Sequence, residues 1–390
     1  MLLRWLIGLG IAAASVHAGS AQASSSCYPL PSQQPTEAER EQARFTSDYT
    51  YEAFDLYERA NELGVLLAVS IPEGVTDFSV RIACERIGAY YGPLASITKQ
   101  MTAILVMQAV ERGELELDRP ADVYLPSLAG DLPAPTIRQL LQHQTGLRNP
   151  DDSARDADGV PAFHRLEMVA FVDGPEGSIL SSDTGANVEW CLAGRESNPT
   201  EGWRYNNCDY VVLGEILEAA TGRDFAELVD GLAQQASAGH ITVPGLSGRW
   251  ISLKDEGSPQ IDLLTYGASG NLVGSLEAVA RLDRALMDGR LLSRQSRETM
   301  WESDPSLGYM ALGQWVFEAP LAGCAAPVRI VERRGEIGNT QLRNLVFPDH
   351  DRALVLASTQ EGFDFGEIWQ QSGPTFELAS KFVCDIESEA

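Results

Sequence analysis

The sequence predicts an α/β (α+β) fold: an antiparallel sheet flanked by helices, built from both chain ends, with a mostly helical subdomain inserted between them. Strand-like runs at residues 65–71 and 78–87 lie toward one end, and runs at 328–333, 341–347 and 352–358 lie toward the other. Between them the pattern is helical periodicity and polar loop. Strands, helices, strands and a last helix in that order describe a sheet domain interrupted by a helical insertion. We place the sheet subdomain at residues 36–112 and 263–390 and the helical subdomain at 113–262.

Residues 1–23 combine Arg4, an apolar run over 5–16 and small residues at Ala21 and Ala23, the pattern of a secretory signal peptide. The run is about a dozen residues, short of the roughly 20 that span a bilayer. A Ser, Pro and Gln-rich flexible leader follows over 24–35. Thr36, Glu37 and the charged run to Arg44 read as an exposed helix that extends with breaks to Leu63, ahead of two strands joined by Pro72-Glu73-Gly74. No later run is apolar and long enough for a membrane span in the mature chain. The net charge of −26 excludes nucleic acid and anionic membrane as natural partners and favours a small-molecule or peptide substrate. Localisation is expected to be periplasmic or secreted. Six cysteines in an exported chain point to disulfides, and Cys191 with Cys208, flanking one short loop, is the first expected pair. No pattern specifies an oligomer.

The stretch from Gly92 to Val110 carries apolar residues around nearly its whole circumference, including Ile97, Met101, Ile104 and Leu105. It is expected to be a helix buried on most sides and ending near Gly113. Ser96 falls at or beside its N-cap, where a serine hydroxyl often serves the orphan amides. Lys99, one turn on, argues for more, because the positive end of the helix dipole disfavours a cation there. Lysine is also scarce: only Lys99, Lys254 and Lys381 stand among 29 basic residues. A desolvated amine can lose its proton and activate a neighbouring hydroxyl, which guanidinium cannot do. Chance alone places a serine three before one of three lysines about one time in five at ordinary serine usage, so the setting carries the signal.

Further along, a helix is expected over 136–143, capped by Thr136 and stopped by Gly146. Residues 148–204 read as long loops with short helices around an active-site rim. Tyr210, Leu213, Leu217 and Ala220 share one helical face, with Asp209 as expected N-cap and Gly222 as C-terminal stop. Helices follow near 224–235, 276–286 and 376–384, and the three late strands form an antiparallel meander.

No serine has the Gly-x-Ser-x-Gly surround of a nucleophile elbow. His143, on an apolar helix end, reads as packed or capping, and His164, His240 and His350 stand in polar loops. Zinc-binding spacings and a phosphate loop are missing from the pattern, so no metal or cofactor is expected. If Ser96 is a nucleophile, its base is Lys99 rather than a histidine.

Ser96-Ile-Thr-Lys99, the run Thr136-Ile-Arg-Gln-Leu-Leu-Gln-His-Gln-Thr-Gly-Leu147, and Gly202-Trp-Arg-Tyr205-Asn-Asn207 with the helix to Gly222 occur in this order. Together with Gly270 to Leu276 and Asp288 to Leu292, they resemble the successive signatures of the serine β-lactamase-like family. That group contains class C β-lactamases, DD-peptidases, D-aminopeptidases and related esterases. The resemblance covers about residues 60–360. It implies an acyl-enzyme serine hydrolase with Ser96 as nucleophile, Lys99 as its proton partner, Tyr205 as second general base or acid, and Asn207 as a substrate-orienting amide. A helix-start cap is the competing role for Asn207. A phenol near its reference pKa of about 10 takes up protons at neutral pH only if nearby cations stabilise the phenolate.

The chain departs from the family at its third element, a Lys or His, a small or hydroxyl residue, then Gly. Here stands Arg333-Arg334-Gly335-Glu336, with Arg333 and Gly335 as the expected substrate-binding positions. Arginine can bind a substrate carboxylate or support a phenolate but cannot exchange a proton. A pair of exposed strand charges is the competing reading. Glu336 is expected to set a negative charge near the developing oxyanion, which disfavours efficient β-lactam turnover. The implied substrate is an ester, a D-amino-acid peptide or a β-lactam. The alternative is a catalytically weak penicillin-binding-like protein that holds a peptide or cell-wall fragment.

Overall fold

The computed structural model describes residues 56, 58–71, 90–165, 169–174, 177–182, 185–193, 198–199, 202–239, 241–245, 250–252 and 260–384. The expected signal peptide, leader, second N-terminal strand and most of the first helix fall outside the described residues, as does His240. In chain order the strands are β1 (Leu66–Ser70), β2 (Tyr91–Pro93), β3 (Val169–Gly174), β4 (Gly177–Ser182), β5 (Ile241–Thr242), β6 (Trp250–Ser252), β7 (Gln260–Asp262), β8 (Val273–Ser275), β9 (Trp315–Ala319), β10 (Val328–Ile337), β11 (Thr340–Phe347) and β12 (Arg352–Ser358). The α-helices are α1 (Thr98–Glu111), α2 (Ile137–Leu141), α3 (Gly185–Leu192), α4 (Asn207–Thr221), α5 (Phe225–Ala236), α6 (Leu276–Met287), α7 (Arg294–Met300) and α8 (Gly373–Cys384).

The main sheet is five-stranded and antiparallel, in the order β1-β12-β11-β10-β9. One strand comes from the front of the chain and four from the back, so both chain ends build it. All seven residues of β12 are buried, which requires cover on both faces, and α6 and α8 both pack on this strand. The late meander also contains β9, which sequence reasoning did not mark out, Trp315–Ala319 being only five residues long. A small sheet of β2, β8 and β5 also escaped periodicity, its strands being only two or three residues long.

Helix α1 is buried at every position but Val110 and Glu111, as its all-round apolar pattern requires. Ser96 does not cap it. A 3-10 turn over Ala95–Ile97 runs straight into the helix, Ile97 occupies the cap position, and no side-chain cap bond forms. The serine hydroxyl is therefore released from capping.

Helix α2 is shorter than expected, because His143 adopts a left-handed φ of 58° and breaks it; Thr136 and Gln139 form a reciprocal capping box at its start. The rim segment is more ordered than a set of loops. It contains the β3–β4 hairpin and α3, which the Cys191–Cys208 disulfide ties to the first turn of α4. A second disulfide joins Cys324 to Cys384.

The cap of α4 is Asn206, whose Oδ1 accepts the Cys208 N–H at 2.9 Å, and not Asp209, which lies buried inside the first turn. Asn207 is likewise inside the helix. Gly222 ends α4 at φ 66°, a left-handed stop that glycine adopts without steric cost. His164 is buried rather than in an open polar loop, its Nδ1 2.8 Å from Thr265 Oγ1.

Candidate active site

Four segments converge at the head of α1. The 3-10 turn presents Ser96, the first turn of α1 presents Lys99, the segment before α4 presents Tyr205 with Asn207 just inside the helix, and β10 presents Arg333. Ala95, immediately before Ser96, holds a left-handed φ of 47°, a conformation that costs an alanine of order 1 kcal/mol and is maintained only by its surroundings.

Ser96 Oγ lies 2.6 Å from Tyr205 Oη and 3.2 Å from Lys99 Nζ. Lys99, with no exposed surface, also reaches Asn207 Oδ1 at 2.7 Å and the Ser269 carbonyl at 2.7 Å. The carbonyl comes from the end of a 3-10 segment, Leu263–Ser269, packed against α1 and α4. A neutral amine has two N–H donors and one lone pair. Asn207 and Ser269 use the donors, leaving the lone pair for the serine hydroxyl.

The electrostatics favour that neutral form. Burial, reinforced by the Arg333 guanidinium, holds the Lys99 ammonium well below its ordinary pKa, although Asp151 and Asp209 pull the other way. Burial pushes Tyr205 up from its ordinary value despite Arg333 and the bond to Ser96, which both act to lower it. Cations therefore do not produce a standing phenolate, contrary to the condition set for a basic tyrosine, and Tyr205 stays protonated.

Arg333 is fully buried, which rules out an exposed charge at that position. Its Nε donates to the Ser96 carbonyl at 2.8 Å and its Nη2 to Tyr205 Oη at 3.1 Å. Gly335 lies on the same face of β10; an added Cβ there would meet the Leu94 carbonyl at 2.8 Å, so glycine allows the strand to press against the turn that carries Ser96. Strand alternation sends Arg334 and Glu336 to the other face. Arg334 is gripped by Glu332 and Glu367, at 2.8 and 2.6 Å. Glu336 is exposed and acts on Arg343, so its side chain does not oppose an oxyanion beside Ser96 as expected.

Beneath Tyr205 lies a pair that sequence reasoning did not single out. His143 Nδ1 is 2.9 Å from Asp209 Oδ2 and also receives the Asn206 N–H at 3.3 Å. Burial drives His143 well below and Asp209 well above their ordinary values. The two thus share a proton without separating charge, and the His143 ring packs 4.8 Å from that of Tyr205. Ser269 was also missed, since its contribution is a backbone carbonyl and carries no sequence signal. Among the described residues no His, Cys, Asp and Glu grouping forms a metal site.

Residues 93–371 match the family model described as Beta-lactamase. Esterase EstB of Burkholderia gladioli is 32% identical over 148 residues, which are 36% of this chain and 35% of the esterase. A D-aminopeptidase of Brucella anthropi is 27% identical over 137 residues, 35% of this chain and 23% of that protein. The chain thus spans well under two thirds of the length of either relative. Among solved structures, a D-stereospecific amidohydrolase from a Streptomyces species aligns with a TM-score of 0.61 at 20% identity, covering 85% of this chain and 98% of that one, and so shares the fold. With the family model spanning more than half of its residues, the chain belongs to the beta-lactamase family.

Proposed function

We propose that the protein is an exported serine hydrolase that works through an acyl-enzyme on Ser96. The observation that carries this reading is the position of Ser96 Oγ between the buried Lys99 amine and the Tyr205 hydroxyl. Neutral Lys99 takes the proton from Ser96 as Oγ forms its bond to the substrate carbonyl carbon. Backbone amides of Ser96 and of the β10 edge, which has no described strand beside it past Glu332, steady the oxyanion. Tyr205 then gives its proton to the departing alkoxide or amine and regains one from the Lys99 ammonium. Arg333 Nη2 supports the phenolic oxygen while it is charged. Water repeats the sequence on the acyl ester, releasing the acid and restoring Ser96.

Asn207 orients Lys99 and the substrate, and Gly335 lets β10 approach. The named relatives, an esterase, a D-aminopeptidase and a D-stereospecific amidohydrolase, support an ester, a D-amino-acid peptide or amide, or a β-lactam as substrate class. Export is supported by the leader pattern and by two disulfides among the described residues. The deciding experiment is covalent labelling with a fluorophosphonate and a fluorescent penicillin. Fluorophosphonate label on the wild type that disappears in Ser96→Ala is the expected outcome. No label with either probe, combined with retained binding of a D-alanyl peptide, would make the protein a binding member of the family instead.

A further inference from the structure

Arg333 is the cation nearest the nucleophile, yet the fold spends it internally. Its guanidinium has no exposed surface, two of its nitrogens are committed to the Ser96 carbonyl and Tyr205 Oη, and the third, Nη1, is buried with no hydrogen-bond partner among the described residues. The Trp315 ring centre lies 5.1 Å from its Cζ on one side and the Tyr205 ring 5.4 Å away on another. Trp315 in turn meets the exposed Trp203 edge-on at 6.2 Å, so an aromatic wall stands over the arginine.

The surrounding cations are also engaged. Arg334 is held by Glu332 and Glu367, Arg148 stacks on Trp190 at 3.7 Å, and Arg204 pairs with Asp152. An exposed carboxylate also stands beside the site: that of Asp151 acts electrostatically on Lys99, Tyr205 and Tyr266. Among the described residues each of these cations already has a partner, so a substrate carboxylate would have to displace one to be bound.

We propose that Trp315 is a specificity-determining residue that seals Arg333 from anionic substrates, so that the cleft takes esters and amides with no carboxylate next to the scissile bond. The inference rests on the acyl-enzyme reading and narrows it. It removes β-lactams and peptides ending in a free carboxylate at that position from the good substrates. Esters and amides whose flanking group is neutral or carries an ammonium remain.

The test compares kcat/KM for phenyl acetate and for its 3-carboxyphenyl counterpart, in the wild type and in Trp315→Ala, with benzoate as a competitive inhibitor. The wild type should prefer the neutral ester by at least about tenfold, the order of one unmade charge-assisted hydrogen bond, and should resist benzoate. Trp315→Ala should uncover Nη1, shrink that preference by a similar factor through KM for the carboxylate ester, and become sensitive to benzoate. Trp315→Phe, which keeps a ring over the arginine, should retain the preference even if the alanine variant folds poorly. Equal use of both esters by the wild type, with turnover that depends on Ser96, overturns this inference alone. Turnover that survives Ser96→Ala overturns the acyl-enzyme reading, and this inference falls with it.

Discussion

At the scale of single residues, the proposed acyl-enzyme chemistry hangs on one amine that must be neutral to act. Lys99 is buried beside Arg333, and its two N–H donors already serve Asn207 and Ser269. Lys99→Arg keeps the charge but places a permanent cation where a base is needed. We expect that variant to lose acylation by on the order of 10²–10⁴-fold, the usual contribution of general-base catalysis, measured by stopped-flow with an activated ester. The pH profile should carry the same signature. Because the amine's pKa is lowered, kcat/KM should rise as pH climbs through that lowered value, well before the ordinary lysine range is reached. A profile that rises only near the ordinary lysine value of about 10.4 would remove Lys99 as the base. How far this cluster could be seen in the sequence follows from distance along the chain. Ser96 and Lys99 are one helical turn apart, so their proximity is local information. Tyr205 and Asn207 were singled out through resemblance to a family, since nothing local brings residue 205 to residue 96. The burial of Arg333 and the His143–Asp209 pair follow from tertiary packing and left no local trace.

At the scale of elements, α1, which carries Lys99, is anchored by a polar latch away from the proposed chemistry. Gln100, next to Lys99 on α1, donates to Asp283 Oδ1 of α6 at 2.6 Å; Asn344 of β11 reaches the same oxygen at 3.2 Å and Gln100 Oε1 at 2.7 Å. Burial raises the Asp283 carboxyl to about 7. In the unfolded chain it would titrate near 3.9, so between about pH 4 and 7 the folded state holds the extra proton and stability falls as pH rises. Asp283→Asn offers the same acceptor oxygen without a charge. We expect it to raise stability at pH 8 by on the order of 4 kcal/mol, to have little effect below pH 4, and so to flatten the decline in Tm between them. Thermal melts of both proteins across that range check it, and parallel declines would exclude Asp283 as the source. Long patterned elements, α1, α4, α6 and strands β10 to β12, were readable from periodicity. Caps were readable only in part: Thr136 and Gly222 cap as expected, whereas Ser96 and Asp209 have cap-forming side chains but a 3-10 lead-in and the neighbouring Asn206 took those positions. Side-chain preference names several acceptable caps, and only the backbone path into the helix selects among them.

At the scale of the whole molecule, the net charge of −26 acts on the same choice that Trp315 makes at close range. An acidic surface repels anionic substrates before they reach the cleft, and this long-range term is screened by salt, whereas a buried and sealed guanidinium is not. The two contributions can therefore be separated. For a carboxylate-bearing ester, kcat/KM should increase several-fold between about 10 mM and 0.5 M salt, as the Debye length falls from roughly 30 Å to a few ångströms. For a neutral ester it should change little, and for an ester carrying an ammonium it should fall. What remains of the preference for the neutral ester at high salt measures the local exclusion of carboxylate at Arg333. That remainder should be the part that Trp315→Ala removes. If high salt alone made the two esters equivalent, selection would belong to the surface field rather than to the aromatic wall. The tryptophan substitution would then leave the salt-independent ratio where it was.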